Sequence, residues 1–102
     1  MRVDSGVTWR GIEHFGSTGF EHSRIALGNV QVSIARLDGV IGGHEAASQQ
    51  RLVVLDGRVA VSTHEDSAVL TGFEAVEWKA GEWHETRSLE PSLLLIVEGE
   101  IE

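Results

Sequence analysis

Residues 42–57 read GGHEAASQQRLVVLDG. A polar stretch with one histidine and two adjacent glutamines runs into four consecutive apolar residues, Leu52 to Leu55, and stops at an Asp-Gly pair. Strand side chains alternate between faces, so such a run places hydrophobic groups on both faces of one strand. The segment HEAASQQRL has helix-forming composition. It is short, lacks a cap and stands between two strand patterns, so it reads as the entry to a strand. Asp56-Gly57, set between β-branched residues, predicts a hairpin joining RLVVL to RVAVS.

The neighbouring segments carry the same signature. In NVQVSIARL, Val30, Val32 and Ile34 fall on one face and Gln31, Ser33 and Ala35 on the other. Asp38-Gly39 then predicts a turn. Downstream, THEDS at 63–67 reads as a polar turn, AVLTG as a short strand and EAVEW as the lead into KAGEWH, while PSLLLIVEGEI supplies a last strand. Turns every eight to twelve residues predict an all-β sandwich or barrel. Residues 1–24 are weakly patterned, and HFGSTGFEHS reads as loop or irregular edge structure. The run LLLIV at 93–97 is again apolar at consecutive positions, so an outer face needs cover. A second copy of the chain, in a homodimer, meets that need most simply, and a second sheet within the monomer would also serve.

Composition narrows the function. A chain of 102 residues is one domain with a modest core. Eight basic residues face sixteen acidic ones, for a net charge of −8, and the basic ones are scattered. Nucleic acid and anionic membrane surfaces are therefore not expected partners. The absence of cysteine removes disulfides, thiolate nucleophiles and zinc–thiolate sites. No secretory-type apolar segment opens the sequence and no run reaches membrane-spanning length, so a soluble cytoplasmic protein is expected.

Five histidines are the main chemical candidates. His14 and His22 lie in the loop-like region with no partner spacing, and His64 sits in an acidic turn, where exposure is expected. Ser48, Ser62 and Ser88 have no base at a recognisable spacing. His44 and His84 stand apart because of their surroundings. His44 is followed at six positions by Gln50, and Gly57 comes after six further residues; His84 closes the run Gly81-Glu82-Trp83-His84.

This pattern resembles the two sequence motifs of the cupin superfamily. In the first motif His44 takes the first histidine, Ala46 replaces the second, Gln50 falls at the glutamate and Gly57 at the closing glycine. Asp38 stands where the leading glycine is usual, with Gly39 just after. In the second motif Gly81 and His84 supply the Gly-x-x-His end, and Lys79 lies near the usual proline. The resemblance spans residues 30–98. It implies an all-β, double-stranded β-helix (jelly-roll) barrel forming a single domain over 1–102, with an arm or edge strands at 1–24, the barrel at 25–102 and motifs at 39–57 and 72–88.

The resemblance also implies that His44, Gln50 and His84 point into the barrel mouth, where family members hold a divalent metal. Two imidazoles and one neutral amide should hold zinc, nickel, manganese or iron weakly or not at all. Trp78, Trp83, Leu52 and Val54 are expected around the pocket, with the tryptophans more as packing than as a ligand cage. Two functions follow. One is a metal-dependent enzyme acting on a small metabolite, with His84 as general base. The other is a non-catalytic small-molecule binding, sensing or oligomerisation module with a vestigial metal site. In the structural alternative, the two histidines bond each other or a buried water, and Gln50 merely fixes a tautomer.

Overall fold

The computed structural model describes residues 1–100 of the chain, so Ile101 of the expected last strand lies outside the described residues. Seven strands form in chain order: β1 (Arg10–Gly11), β2 (Thr18–Leu27), β3 (Val30–Glu45), β4 (Gln50–Ser62), β5 (Ser67–Leu70), β6 (Ala75–Trp78) and β7 (Trp83–Gly99). A single 3-10 turn, His14–Gly16, lies between β1 and β2. All pairings are antiparallel, in the order β1-β2-β3-β7-β4-β5, with β6 also on β4. This is the jelly-roll architecture expected from the sequence.

Length alone forces the longest strand to bend. The 17 residues of β7 would span roughly 55 Å if straight, yet the longest dimension of the whole molecule is 48 Å. The bend falls at one line across three adjacent strands. On β3 the register breaks between Leu37 and Val40, and on β4 between Val54 and Val59. On β7 the intervening Leu89, Glu90 and Pro91 are exposed. Two serines tie the corner. Ser88 Oγ accepts the Gly39 N–H at 2.7 Å, and Ser92 Oγ accepts the Arg58 N–H at 3.0 Å.

Two sequence expectations are corrected here. Asp56-Gly57 is not a hairpin and Asp38-Gly39 is not a turn, because β4 and β3 each continue unbroken through them. Gly57 adopts φ +95°, and a Cβ there would press on the Pro91 carbonyl and the Ser92 backbone. Both Asp-Gly pairs mark where a strand turns the corner between the two layers. At Gly57 a bulge and a hairpin turn ask for the same left-handed glycine, while Gly39 is needed because a Cβ there would overlap the Thr18 carbonyl. At the N-terminal edge of the sheet, β2 begins at Thr18 and runs on through residue 24 to Leu27. HEAASQQRL contains no helix: His44 and Glu45 end β3, and β4 starts at Gln50.

The core lies between the layers. Leu37, Leu52, Val54, Val59 and Leu94 are at most 1% exposed, and Ala35, Ile41, Val61, Leu70, Trp78 and Ile96 complete the cluster. Each fully buried Leu or Val contributes about 1.5–3 kcal/mol. On β3 the inward face is Ser33, Ala35 and Leu37, the less bulky face of the alternation. Its small residues leave room inside the barrel. Val32 and Ile34 point outward beside Leu95, Val97 and Val53, all half-buried, with Ile25 exposed at the edge.

Candidate functional site

His44 and His84 are direct cross-strand partners on β3 and β7, and their ring centroids lie 4.6 Å apart. The Gly81 turn delivers His84, with Gly81 at φ +84°. Ala46 clamps that turn, its N–H donating to the Glu82 carbonyl at 3.0 Å and its carbonyl accepting the Gly81 N–H at 2.7 Å. Position 46, where a second histidine would stand, thus serves through its backbone and presents only a buried methyl.

Each imidazole is oriented by its own strand. His44 Nδ1 lies 2.8 Å from the Gly42 carbonyl and His84 Nδ1 lies 3.1 Å from the Glu82 carbonyl. A carbonyl only accepts, so in the neutral form of each ring Nδ1 carries the proton and Nε2 keeps its lone pair. Burial lowers the pKa of His84, opposed by the bond to the Glu82 carbonyl and reinforced by the neighbouring His44. His84 is therefore neutral near pH 7.

Aromatic rings bracket the pair. Trp78 stacks on His84 at 4.1 Å, and Phe15 stacks on His44 at 4.2 Å with the planes 6° apart. Phe15 reaches that position in the left-handed region, φ 58°, a conformation that costs a bulky residue about 1–3 kcal/mol. Its carbonyl rests on Gly42, where any Cβ would overlap it. Gln50 opens β4, opposite Trp78 on one side and Glu98 on the other. Its Oε1 is buried with no hydrogen-bond partner among the described residues.

His44, Gln50 and His84 line one cavity of about 420 Å³. Leu52 and Trp78 line it as expected. Val54 and Trp83 take other places. Val54 is fully buried in the core. Trp83 points to the opposite face of β7, over Gly43, with His64 stacked on it at 4.3 Å. Adjacent strand residues face opposite ways, so His84 inside requires Trp83 outside.

The cavity has a second polar wall. Phe20, His22 and Arg24 reach it from β2, Ser33 from β3 and Glu98 from β7. Arg24 donates from Nε to Ser33 Oγ at 3.3 Å and pairs through Nη2 with Glu98 Oε1 at 3.4 Å. His22 has a lowered pKa, from burial first and from the Arg24 charge second. These residues, with His14 and Phe15 at the mouth, were not singled out in the sequence. The even-numbered alternation Phe20, His22, Arg24 was the available clue. Among the described residues, no three His, Asp or Glu side chains converge as a metal cluster.

An antiparallel jelly roll enclosing a pocket with paired histidines defines the class, and the chain has the cupin fold. No family model and no curated protein matches the sequence. Among solved structures it is similar to an RmlC-like cupin from Shewanella frigidimarina (TM-score 0.82, 13% identity, 99% of this chain and 90% of that one). It is likewise similar to KdgF from Halomonas sp. (TM-score 0.78, 18% identity, 98% and 93% covered). A cupin superfamily protein from Desulfitobacterium hafniense matches at a TM-score of 0.74 and 15% identity, over 80% and 78% of the chains. At these identities the likeness is one of fold.

Proposed function

We propose that the barrel binds a small molecule and that His44, Gln50 and His84 form its polar anchor, a weak site for a divalent cation. One observation carries this reading: three acceptor atoms, on side chains that line one cavity, have no protein donor. Two are imidazole Nε2 lone pairs, fixed by the Nδ1 bonds. The third is the unpartnered Gln50 Oε1, and leaving such an atom buried costs about 1–3 kcal/mol. A cation or a donor-rich ligand relieves that cost.

Two imidazoles and an amide oxygen fit a borderline cation such as zinc, nickel or iron better than a hard one, and hold it loosely for want of a carboxylate. Such a cation, when bound, supplies Lewis-acid polarisation of a ligand oxygen. Neutral His84 acts as the general base, its lone pair facing the cavity while the Glu82 carbonyl holds the opposite nitrogen. Trp78 and Leu52 shield this end from water. Without a cation, the same acceptors receive hydroxyl or amide protons, and the barrel is then a binding module without turnover.

We further propose a homodimer formed through the outer face of Ile25, Val32, Ile34, Leu95 and Val97, which register places side by side. Among the described residues, no helix is long and apolar enough to cross a membrane, and a cysteine-free chain suits the cytoplasm, the compartment we propose.

Metal content per chain, measured on tag-free protein beside His44→Ala and His84→Ala, tests the anchor. Uptake of zinc, nickel or iron that both variants lose is expected. Wild type that takes up none of them, in protein shown folded by circular dichroism, removes the cation from the reading.

A further inference from the structure

The cavity has two chemically opposite walls, and only one of them enters the reading above. We infer that Arg24 and Glu98 form a carboxylate-recognition pole, so that the ligand class is small hydroxy-carboxylates. This rests on the barrel being a small-molecule pocket, but not on a cation being held there.

Arg24 lines the cavity. Its inward direction follows from the alternation of β2 and from the pairing of Arg24 with Ser33, an inward residue only 3% exposed. The guanidinium has five N–H donors in a planar fork. Two have protein partners, Ser33 Oγ at 3.3 Å and Glu98 Oε1 at 3.4 Å, both long for a charged group. Three donors remain, which suffices for the paired bonds that a carboxylate accepts from one fork.

Glu98 is the internal competitor. It lies directly across from Gln50 in the β4–β7 register and lines the same cavity. While it occupies one arm of Arg24, it lowers the attraction for an incoming anion. Once a ligand carboxylate takes the fork, Glu98 is an acceptor for a neighbouring hydroxyl. Across the cavity, His44 and His84 each offer an acceptor nitrogen, and the Gln50 amide carries an unpartnered acceptor oxygen. A ligand that satisfies both walls therefore carries one carboxylate and at least one hydroxyl donor. Leu52, Ile96 and Phe20 supply the apolar surface between the poles.

The test uses matched probes that differ by one group: glycolate, glycerate and gluconate against ethylene glycol, glycerol and glucitol. Binding to the chelator-treated wild type is read by amide chemical-shift titration, and zinc uptake is measured in parallel on every variant. At least one carboxylate probe should bind while its neutral partner does not. Arg24→Gln should weaken that binding by more than about tenfold, as expected for removing one partner of a charged hydrogen-bonded pair, with zinc uptake unchanged. Glu98→Gln should move it the other way, since the competing charge is gone and the fork is free. Opposite effects of the two variants are not produced by a general loss of folding.

Equal binding of carboxylate and neutral probes overturns the inference. So does Glu98→Gln binding that is weakened, or no binding by any carboxylate probe. Wild type that takes up no zinc, with carboxylate discrimination intact, would strike only the cation anchor, so the two ideas fail separately.

Discussion

Replacing Gln50 by leucine should make the metal-free protein more stable and less able to bind. Leucine has nearly the volume of glutamine, and position 50 already lies against Trp78 at the mouth of the core. The substitution removes an acceptor that is buried with no partner. That relieves a desolvation penalty of about 1–3 kcal/mol, from which the lost hydration of the amide nitrogen is subtracted, for a net gain of about 1 kcal/mol. With an unfolding entropy of about 2.1 cal/mol/K per residue, a chain of 102 residues gains about 5 °C in Tm per kcal/mol. Thermal and urea unfolding in chelator measure the gain. Adding zinc or nickel should then raise the wild-type Tm and leave Gln50→Leu nearly unmoved, because only a ligand that binds the native state stabilises it. Destabilisation by more than about 1 kcal/mol would show that Oε1 is satisfied in solution and not poised for a ligand, and would refute the reasoning.

Stability should also depend on pH through the inward histidines. His84 and His22 both have pKa values lowered from 6.5 in the folded state, so the unfolded chain binds more protons just below that value. Stability is then complete above about pH 6.5 and declines as pH falls towards the lowered values; His84→Gln should flatten the decline seen by urea unfolding across that window. Gly42→Ala should push the Phe15 carbonyl off β3 and speed hydrogen exchange at the Ser17 amide, which bonds to the His14 carbonyl. Because the 14–16 turn buries none of its residues, global stability should change by less than about 2 kcal/mol. Unchanged exchange would mean that the turn is not held by this contact. Leu95→Glu on the outer face should convert a dimer to a monomer in sedimentation velocity, and a wild type that is already monomeric at high concentration would exclude the proposed interface.

Part of this molecule was legible in one dimension. Alternation in 30–37 and the consecutive apolar runs at 52–55 and 93–97 announce strands. The cupin-like spacing of His44, Gln50, Gly57 and His84 announced the jelly roll. Gly81 marked its turn because its conformation is demanded by local backbone geometry, which a sequence carries directly.

The second wall of the cavity was not legible, and neither were the corners. Arg24, Ser33 and Glu98 come from β2, β3 and β7, and they meet only because register places Arg24 across from Ser33 and Glu98 across from Gln50. His14 and His22 looked isolated because most of the residues that share their cavity come from distant strands. Asp-Gly served as a corner or a turn equally well until the partner strand β7 proved to bend along the same line. Local sequence determined which residues could extend, which could turn and which pairs of donors shared a motif. Only the tertiary structure decided which face of each strand looked inward, since that choice rests on long-range pairing that no short stretch encodes.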